Sequence, residues 1–341
     1  MTNARARKAA HLLAALLVLA LGPARWSGAQ PQQEAVDSPP STAADTPSEL
    51  LLIPAWPGSR VVQLRFESEV IPDAALQDSG AVTTVRSGLR LRAAAPVTDR
   101  LTLQAVARYS ATLFSFEGRQ LFFGANRPPA SNPFDDLHDT RLSLQSAFEL
   151  NTDGHLFFAG ERWALIAELF GGARWEHGAF GEGLLGGGGL ALGYEFPGRL
   201  RVALGVALQT RIAESGVGVN PVFNVRWRAT DHLTLRTRGR GGQIEYEWSP
   251  RLTTYAAAFK TGSSWRLDRR RGIPSSSVLN DQQLRCGLGL EWRPHRQLRL
   301  NLEIGTVVNR ELEVDVRGAR SLSSIDGSPS AYLVFSLGLR P

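Results

Sequence analysis

At five places along this chain an alternating apolar/polar run reaches an abrupt turn, then resumes on leucine, one polar or basic residue and, in four of the five, another apolar residue. The five places are Ala95–Leu103, Glu195–Val202, Arg228–Leu235, Glu247–Leu252 and Glu291–Leu300. A period of two puts successive side chains on opposite faces of a strand, so each place reads as a β-hairpin with a tight turn. Longer polar stretches fall at 71–82, 113–139, 176–183, 261–280 and 309–328. Short turns at one end and long loops at the other are the layout of an all-β, antiparallel, up-and-down outer-membrane barrel, with the long loops outside the cell.

The alternation recurs between the turns. Val62, Leu64, Phe66 and Val70 share one face against Gln63, Arg65, Glu67 and Glu69; Leu298, Leu300, Leu302 and Ile304 oppose Arg299, Asn301 and Glu303. A soluble sandwich alternates too, but three features favour a membrane barrel. The runs approach the 9–11 residues of a tilted spanning strand. The polar face carries more arginine and glutamate than a dry core tolerates. Tyr194, Phe196, Trp227, Tyr246, Trp248 and Trp292 gather beside the short turns, where an interfacial girdle belongs. Counting strands predicts about fourteen, with twelve as the alternative, because Asn151 to Trp163 fits either a turn or part of another strand.

Before the barrel (60–341) the chain carries an address and a lead. Arg5, Arg7 and Lys8 precede an apolar stretch from His11 to Leu21, and Ser27-Gly28-Ala29 supplies small residues for cleavage. Residues 1–29 therefore read as a signal peptide, and 30–59, rich in Pro, Ser, Thr and acids, as a flexible periplasmic segment. Cleavage takes the 38 basic residues to 34 against 32 acidic ones, a net charge of +2. The remaining arginines alternate with apolar residues and no nucleic-acid motif accompanies them, which argues against a nucleic-acid partner. The single cysteine, Cys286, reads as a small strand residue.

Hairpin arithmetic assigns the interior. Reading Gly241-Gly242 as a two-residue turn pairs Arg240 with Gln243, Arg238 with Glu245 and Arg236 with Glu247. The neighbouring turns pair Glu195 with Arg201, Glu291 with Arg299, Arg226 with Arg236 and Arg228 with Thr234. A one-residue slip would turn these charges toward lipid at roughly 2–4 kcal/mol each at midplane. Arg226, Arg228, Arg236, Arg238, Arg240, Glu245, Glu247, Glu195, Arg201, Glu291 and Arg299 are thus the expected lining. Two roles stay open for them: mutual charge ladders that stiffen the wall, and a watery passage favouring anions. After Trp248, either Thr254/Ala256/Ala258 or Tyr255/Ala257/Phe259 faces outward.

Little here suggests enzyme chemistry. His138, His155, His177, His232 and His295 fall in expected loops or turns, and no acid, base and nucleophile converge. No cofactor or metal site is expected; Asp135-Asp136-Leu137-His138-Asp139 offers calcium-type oxygens but lacks the spacing of a binding loop. Gly186 to Gly189 reads as a small-residue strand rather than a phosphate cradle. The stretch holding Phe114, Phe116, Phe122, Phe123 and Phe134 is aromatic for a loop, and Phe122 and Phe123 are the expected constriction if it folds inward.

Asn220-Pro221-Val222-Phe223-Asn224-Val225-Arg226-Trp227, with Leu233-Thr234-Leu235 and Ile244-Glu245-Tyr246, resembles an uncharacterised outer-membrane barrel family of Gram-negative bacteria, a domain of unknown function. Asn309-Arg310-Glu311-Leu312-Glu313 resembles it too. The resemblance implies fold and location over most of the mature chain and supplies no catalytic residues. Such barrels end on an aromatic read by the assembly machinery, whereas this chain ends Gly338-Leu339-Arg340-Pro341. The expected function is porin-like passage of small polar or anionic solutes. The alternative is a closed structural or surface-binding barrel whose loops meet partners. A transporter for apolar molecules lacks a plug-like N-terminal domain, and a barrel of about 22 strands does not fit this length. The expected partners are outer-membrane lipid, the assembly machinery and small solutes.

Overall fold

The computed structural model describes residues 61–76, 80–117, 134, 136–150, 161–196, 198–210, 212, 216–268, 277–316 and 323–340. The signal and lead segments, Asp135, Phe122, Phe123 and most of Asn151–Trp163 lie outside them.

Alternation becomes strand throughout. The chain runs through β1 (Val61–Leu76), β2 (Gly80–Pro96), β3 (Leu101–Glu117), β4 (Leu137–Glu149) and β5 (Arg162–Glu176). It continues through β6 (Leu184–Phe196), β7 (Leu200–Thr210), β8 (Val217–Arg228), β9 (Leu233–Thr237) and β10 (Arg240–Ser249). The last segments are β11 (Leu252–Arg266), β12 (Ser277–His295), β13 (Leu298–Val316), β14 (Ser323–Gly327) and β15 (Ser330–Leu339). β14 and β15 both pair with β13 and with β1, so they are one barrel strand interrupted at Ser328-Pro329. Each strand pairs antiparallel with its sequence neighbour and β15 returns to β1, which closes a barrel of fourteen strands.

The outer face is a solvent-inverted surface. Leu169 (69 % exposed), Leu142 (63 %), Leu190, Val219 and Leu288 stand out from it, while Gln104, Gln145 and Glu168 are buried on the inside. Exposed apolar area on this scale needs a lipid partner. Two aromatic rows bound it. Beside the short turns the rings of Trp163 and Tyr194 meet at a tilt and Trp248 meets Tyr246 edge-on. Near the opposite rim Tyr109, His138, Trp175 and Phe180 form a continuous chain of ring contacts. Trp163 and Trp175 lie twelve residues apart on one face of β5, which is about 40 Å along a strand and about 30 Å along the axis of a barrel tilted near 40°. That height matches a hydrocarbon core.

Two sequence expectations are corrected here. Four of the five expected long loops are partly strand, since β1 runs to Leu76, β3 to Glu117, β11 to Arg266 and β13 to Val316, while 176–183 is a loop from its second residue on. Above the membrane the outer face no longer needs to be oily, so pairing continues after the apolar signal fades. The β9–β10 turn also sits two residues earlier than expected. Gly239 takes the positive φ (58°), Arg238 donates its backbone N–H to the Gly241 carbonyl, and Gln243 stands opposite Arg236. An Arg-Gly-Arg-Gly turn competes with the Gly-Gly turn, and its first glycine accepts the left-handed conformation.

That short hairpin leaves the wall uneven. β9 pairs with β8 only over Arg226–Arg228, although β8 continues up to Val217. On its other side β10 reaches only as far as Lys260 of β11. Among the described residues the ladder is therefore interrupted above the hairpin. The upper end of β11 instead meets β5, where Arg266 pairs in parallel with Trp175 while bonding the Ile212 carbonyl at 2.6 Å.

Candidate functional site: the barrel interior

Because the register shift at the hairpin is an even number of residues, faces are preserved for most expected lining residues. Arg226, Arg228, Arg236, Arg238, Glu245 and Glu247 lie on the lumen side, opposite in parity to Phe223, Ile244, Tyr246 and Trp248. Arg226 stands opposite Arg236 and Arg228 opposite Thr234, in the expected register. Partners change in the hairpin, however. Arg236 bonds Glu245 diagonally at 2.6 Å instead of facing Glu247. Arg240 is a correction: it stands opposite Lys260, on the outer face beside Ala258 and Ile244, because the earlier turn ends the inward row at Arg238. Glu195 faces Arg201 as expected and pairs with it. Glu291 faces Asn301 rather than Arg299, owing to a bulge in the turn, yet still contacts Arg299 at 3.1 Å and Arg293 at 2.6 Å. The ambiguity in β11 resolves with Tyr255, Ala257 and Phe259 facing inward.

The charges divide by depth. Near the short turns the arginines stay wet: the side chains of Arg201, Arg236 and Arg299 are 39–47 % exposed although each touches a carboxylate. Deeper in, the same chemistry is dry. Glu303, with 1 % of its side chain exposed, accepts from Arg238 Nη1 at 2.6 Å, from the Tyr255 hydroxyl at 2.7 Å and from the Tyr332 hydroxyl at 2.7 Å. These donors come from the β9–β10 turn, β11 and β15, so the contacts form a crossbar over part of the lumen. The guanidinium of Arg238 also lies 4.2 Å from the Phe259 ring centroid. Higher still, Arg310 (0 % exposed) forks onto Asp281 at 3.1–3.2 Å, and Arg285 pairs with Glu69 across from β12 to β1. Ion pairs this dry persist because each carboxylate gathers several donors.

Glycines make room for the crossbar. A side chain at Gly289 would meet Tyr255 Cζ at 2.1 Å, and one at Gly287 would meet the Tyr332 hydroxyl at 2.1 Å. Tyr255 lies in a groove left by Gly289 on the adjacent strand, and Tyr332 crosses β13 over Gly305 to reach Gly287 on β12. The inward Gly287-x-Gly289 spacing is the sequence signal for this arrangement, and reasoning from charge alone passed over it.

Beyond the ion pairs the outer end is filled by an apolar cluster. Ile71, Phe114, Phe134, Leu137, Trp265, Leu279, Leu312 and Val314 pack inside the ring, with Phe116 against them. Phe114 meets Phe134 and Trp265 edge-on at centroid distances of 6.4 Å. Part of the expected aromatic loop is therefore interior packing at the ends of β3 and β4. Of the acidic run behind it, Leu137 to Asp139 are strand: the His138 ring lies 5.3 Å from that of Trp175, and Asp139 takes the Arg174 guanidinium at 3.1 Å.

Comparison with known proteins adds likeness of fold. No family model matches the chain, and no curated protein matches it. Among solved structures it is similar to a deltaS2 mutant of the TodX monoaromatic hydrocarbon channel, at 9 % identity over 83 % of this chain and 90 % of that one, with a TM-score of 0.43. It is also similar to an outer-membrane channel from Pseudomonas putida F1, at 14 % identity over 84 % and 97 %, TM-score 0.40. A Pseudomonas aeruginosa FadL homologue matches at 11 % identity over 88 % and 93 %, TM-score 0.29.

Proposed function

We propose that this chain is an outer-membrane channel for small solutes that favours anions, with Arg201, Arg226, Arg228, Arg236 and Arg299 lining the approach from the short-turn end. One observation carries the reading: lumenal guanidinium groups remain half-exposed to water beside their carboxylates. A wall needing charge only for internal ladders would dry those pairs, as it does deeper in. Arginine-lined constrictions select anions by field as well as by size. The test is ion current through the purified full-length barrel in planar bilayers. Steady conductance with anion preference is expected, and Arg236→Glu with Arg226→Glu should reduce or invert that preference. A barrel that inserts without conducting refutes the reading and leaves a structural or surface-binding role.

A second reading has its own observation in the interrupted ladder between β8 and β11. Val217, Val219 and Phe223 lie on the outer face beside that interruption, 45–64 % exposed. Apolar molecules would pass sideways there between lumen and lipid. Uptake of a fluorescent apolar probe into barrel-containing vesicles, without matching ion current, would favour this route.

A further inference from the structure

Lumenal charge is not confined to the hairpin wall. On the opposite side of the ring, Arg65 of β1 stands directly across from Arg90 of β2, Arg90 from Arg108 of β3, and Arg108 from Arg141 of β4. Four arginines thus form one unbroken lateral row, which at 4.7–4.9 Å per strand spans about 14 Å. Like charges directly opposite are unfavourable in a sheet, and here three such pairs are consecutive. Acids border the row at its ends, where Glu67 meets Arg65 at 2.8 Å and Glu168 meets Arg141 at 2.9 Å.

A cavity of about 130 Å³ opens over the first three of these arginines. Arg65, Arg86, Arg90 and Arg108 line it against Glu67 and Glu69, with Ser110 beside them. Glu69 also neutralises Arg285 from β12, so the lining keeps a surplus of positive charge. The volume is below the roughly 300–1,000 Å³ of a site for drug-sized molecules. It suits a compact ion whose acidic groups are a few ångströms apart.

We propose that Arg65, Arg90 and Arg108 of this row, with Arg86 beside them, bind a small oxyanion carrying two or more negative charges, of the phosphate, pyrophosphate or tricarboxylate kind. Planar guanidinium forks on neighbouring strands present parallel pairs of N–H donors, which match oxyanion edges better than they match chloride. This rests on the channel reading in one respect: the row acts as a resting point for the anions that the channel admits.

Equilibrium titration of pyrophosphate into the full-length barrel in nanodiscs tests it, with citrate as second probe and chloride as competitor. Saturable pyrophosphate binding is expected, weakened about tenfold or more by Arg90→Gln with Arg108→Gln. The Arg90→Lys, Arg108→Lys pair keeps the charge and should weaken it less, while Arg251→Gln in the exposed β10–β11 turn should leave it unchanged. Binding that survives the glutamine pair, or that falls equally with Arg251→Gln, overturns the proposal. If the glutamine pair does not fold, the lysine pair decides: unchanged affinity for both probes overturns the proposal. Bilayer current separates the two claims. A barrel that binds pyrophosphate at the row without conducting refutes only the channel, and one that conducts anions without binding pyrophosphate refutes only the row.

Discussion

Replacing Glu303 by glutamine removes one negative charge from the centre of the crossbar while keeping its shape. In the native barrel that carboxylate accepts three bonds of 2.6–2.7 Å, from Arg238, Tyr255 and Tyr332, with almost no water contact. Bonds to a charged group contribute about 1.5–3 kcal/mol each and neutral ones about 0.5–1.5 kcal/mol. Three weakened bonds therefore remove about 3–4 kcal/mol, and relief of carboxylate desolvation returns part of it. A loss of about 2–3 kcal/mol is expected, read as a lower urea midpoint for unfolding from lipid vesicles, followed by tryptophan fluorescence. Glu291→Gln is the internal control. Its arginine partners are 40–47 % exposed, so the loss should stay within about 1 kcal/mol. Because the crossbar spans part of the lumen, Glu303→Gln should also raise mean conductance. A stability change below about 0.5 kcal/mol for Glu303→Gln, or equal losses for both variants, would refute the argument that depth separates structural from solvated charge.

Three further outcomes follow from the same geometry. Leu169→Arg places a guanidinium on the lipid face near mid-height and should cost roughly 2–4 kcal/mol in the same assay, whereas the same change in a soluble sheet would be tolerated. Gly289→Ala drives a methyl group into Tyr255 at 2.1 Å and should destabilise by about 1–3 kcal/mol, while Gly171→Ala, with nothing within 4 Å, should be silent. Amide exchange along β8 above Val225, whose N–H is held by Thr237, should be faster than along β7, whose residues pair on both sides; equal protection would mean that the ladder is not interrupted there.

The parts of the fold legible in the sequence are those the bilayer enforces. A lipid face must be apolar at every second residue, so strand count, inside and outside, and the aromatic girdle beside the short turns could be read directly. Even the misplaced β9–β10 turn kept Arg236, Glu245 and Glu247 on their proper face, because turns compatible with the pattern differ by even steps. Arg240 was lost because it sits at the turn itself, where parity no longer protects an assignment. The interior was less legible for a related reason. Lumen residues answer to partners several strands away, and nothing in the local pattern around Glu303 names Arg238 or Tyr332. The arginine row illustrates this too: Arg65, Arg90, Arg108 and Arg141 each look like ordinary members of a polar face, and only the register across four strands brings them into line.

That register also bears on how a charged interior coexists with apolar packing toward the outer end. Seen from the short-turn side, the lumen begins with wet arginines, passes the crossbar and the Arg310–Asp281 and Arg285–Glu69 pairs, and ends at the cluster around Trp265. Among the described residues these side chains crowd the outer half of the lumen, and a buried ion pair or aromatic contact that had to yield to a solute would cost several kcal/mol. Conduction is easiest where such contacts move or are bypassed. The uneven wall bears on the choice. The β9–β10 hairpin carries Arg238 at its tip, and its ladder to β8 ends at Arg226, beyond which the Thr237 hydroxyl reaches Val225 and Asn224. Movement of that tip would release Glu303 and widen the interruption beside β8 in the same step. Opening toward water and opening toward lipid would then be coupled through one side chain, and Arg238→Ala would be expected to increase ion current and apolar-probe uptake together. An increase in one without the other would show that the two routes are independent.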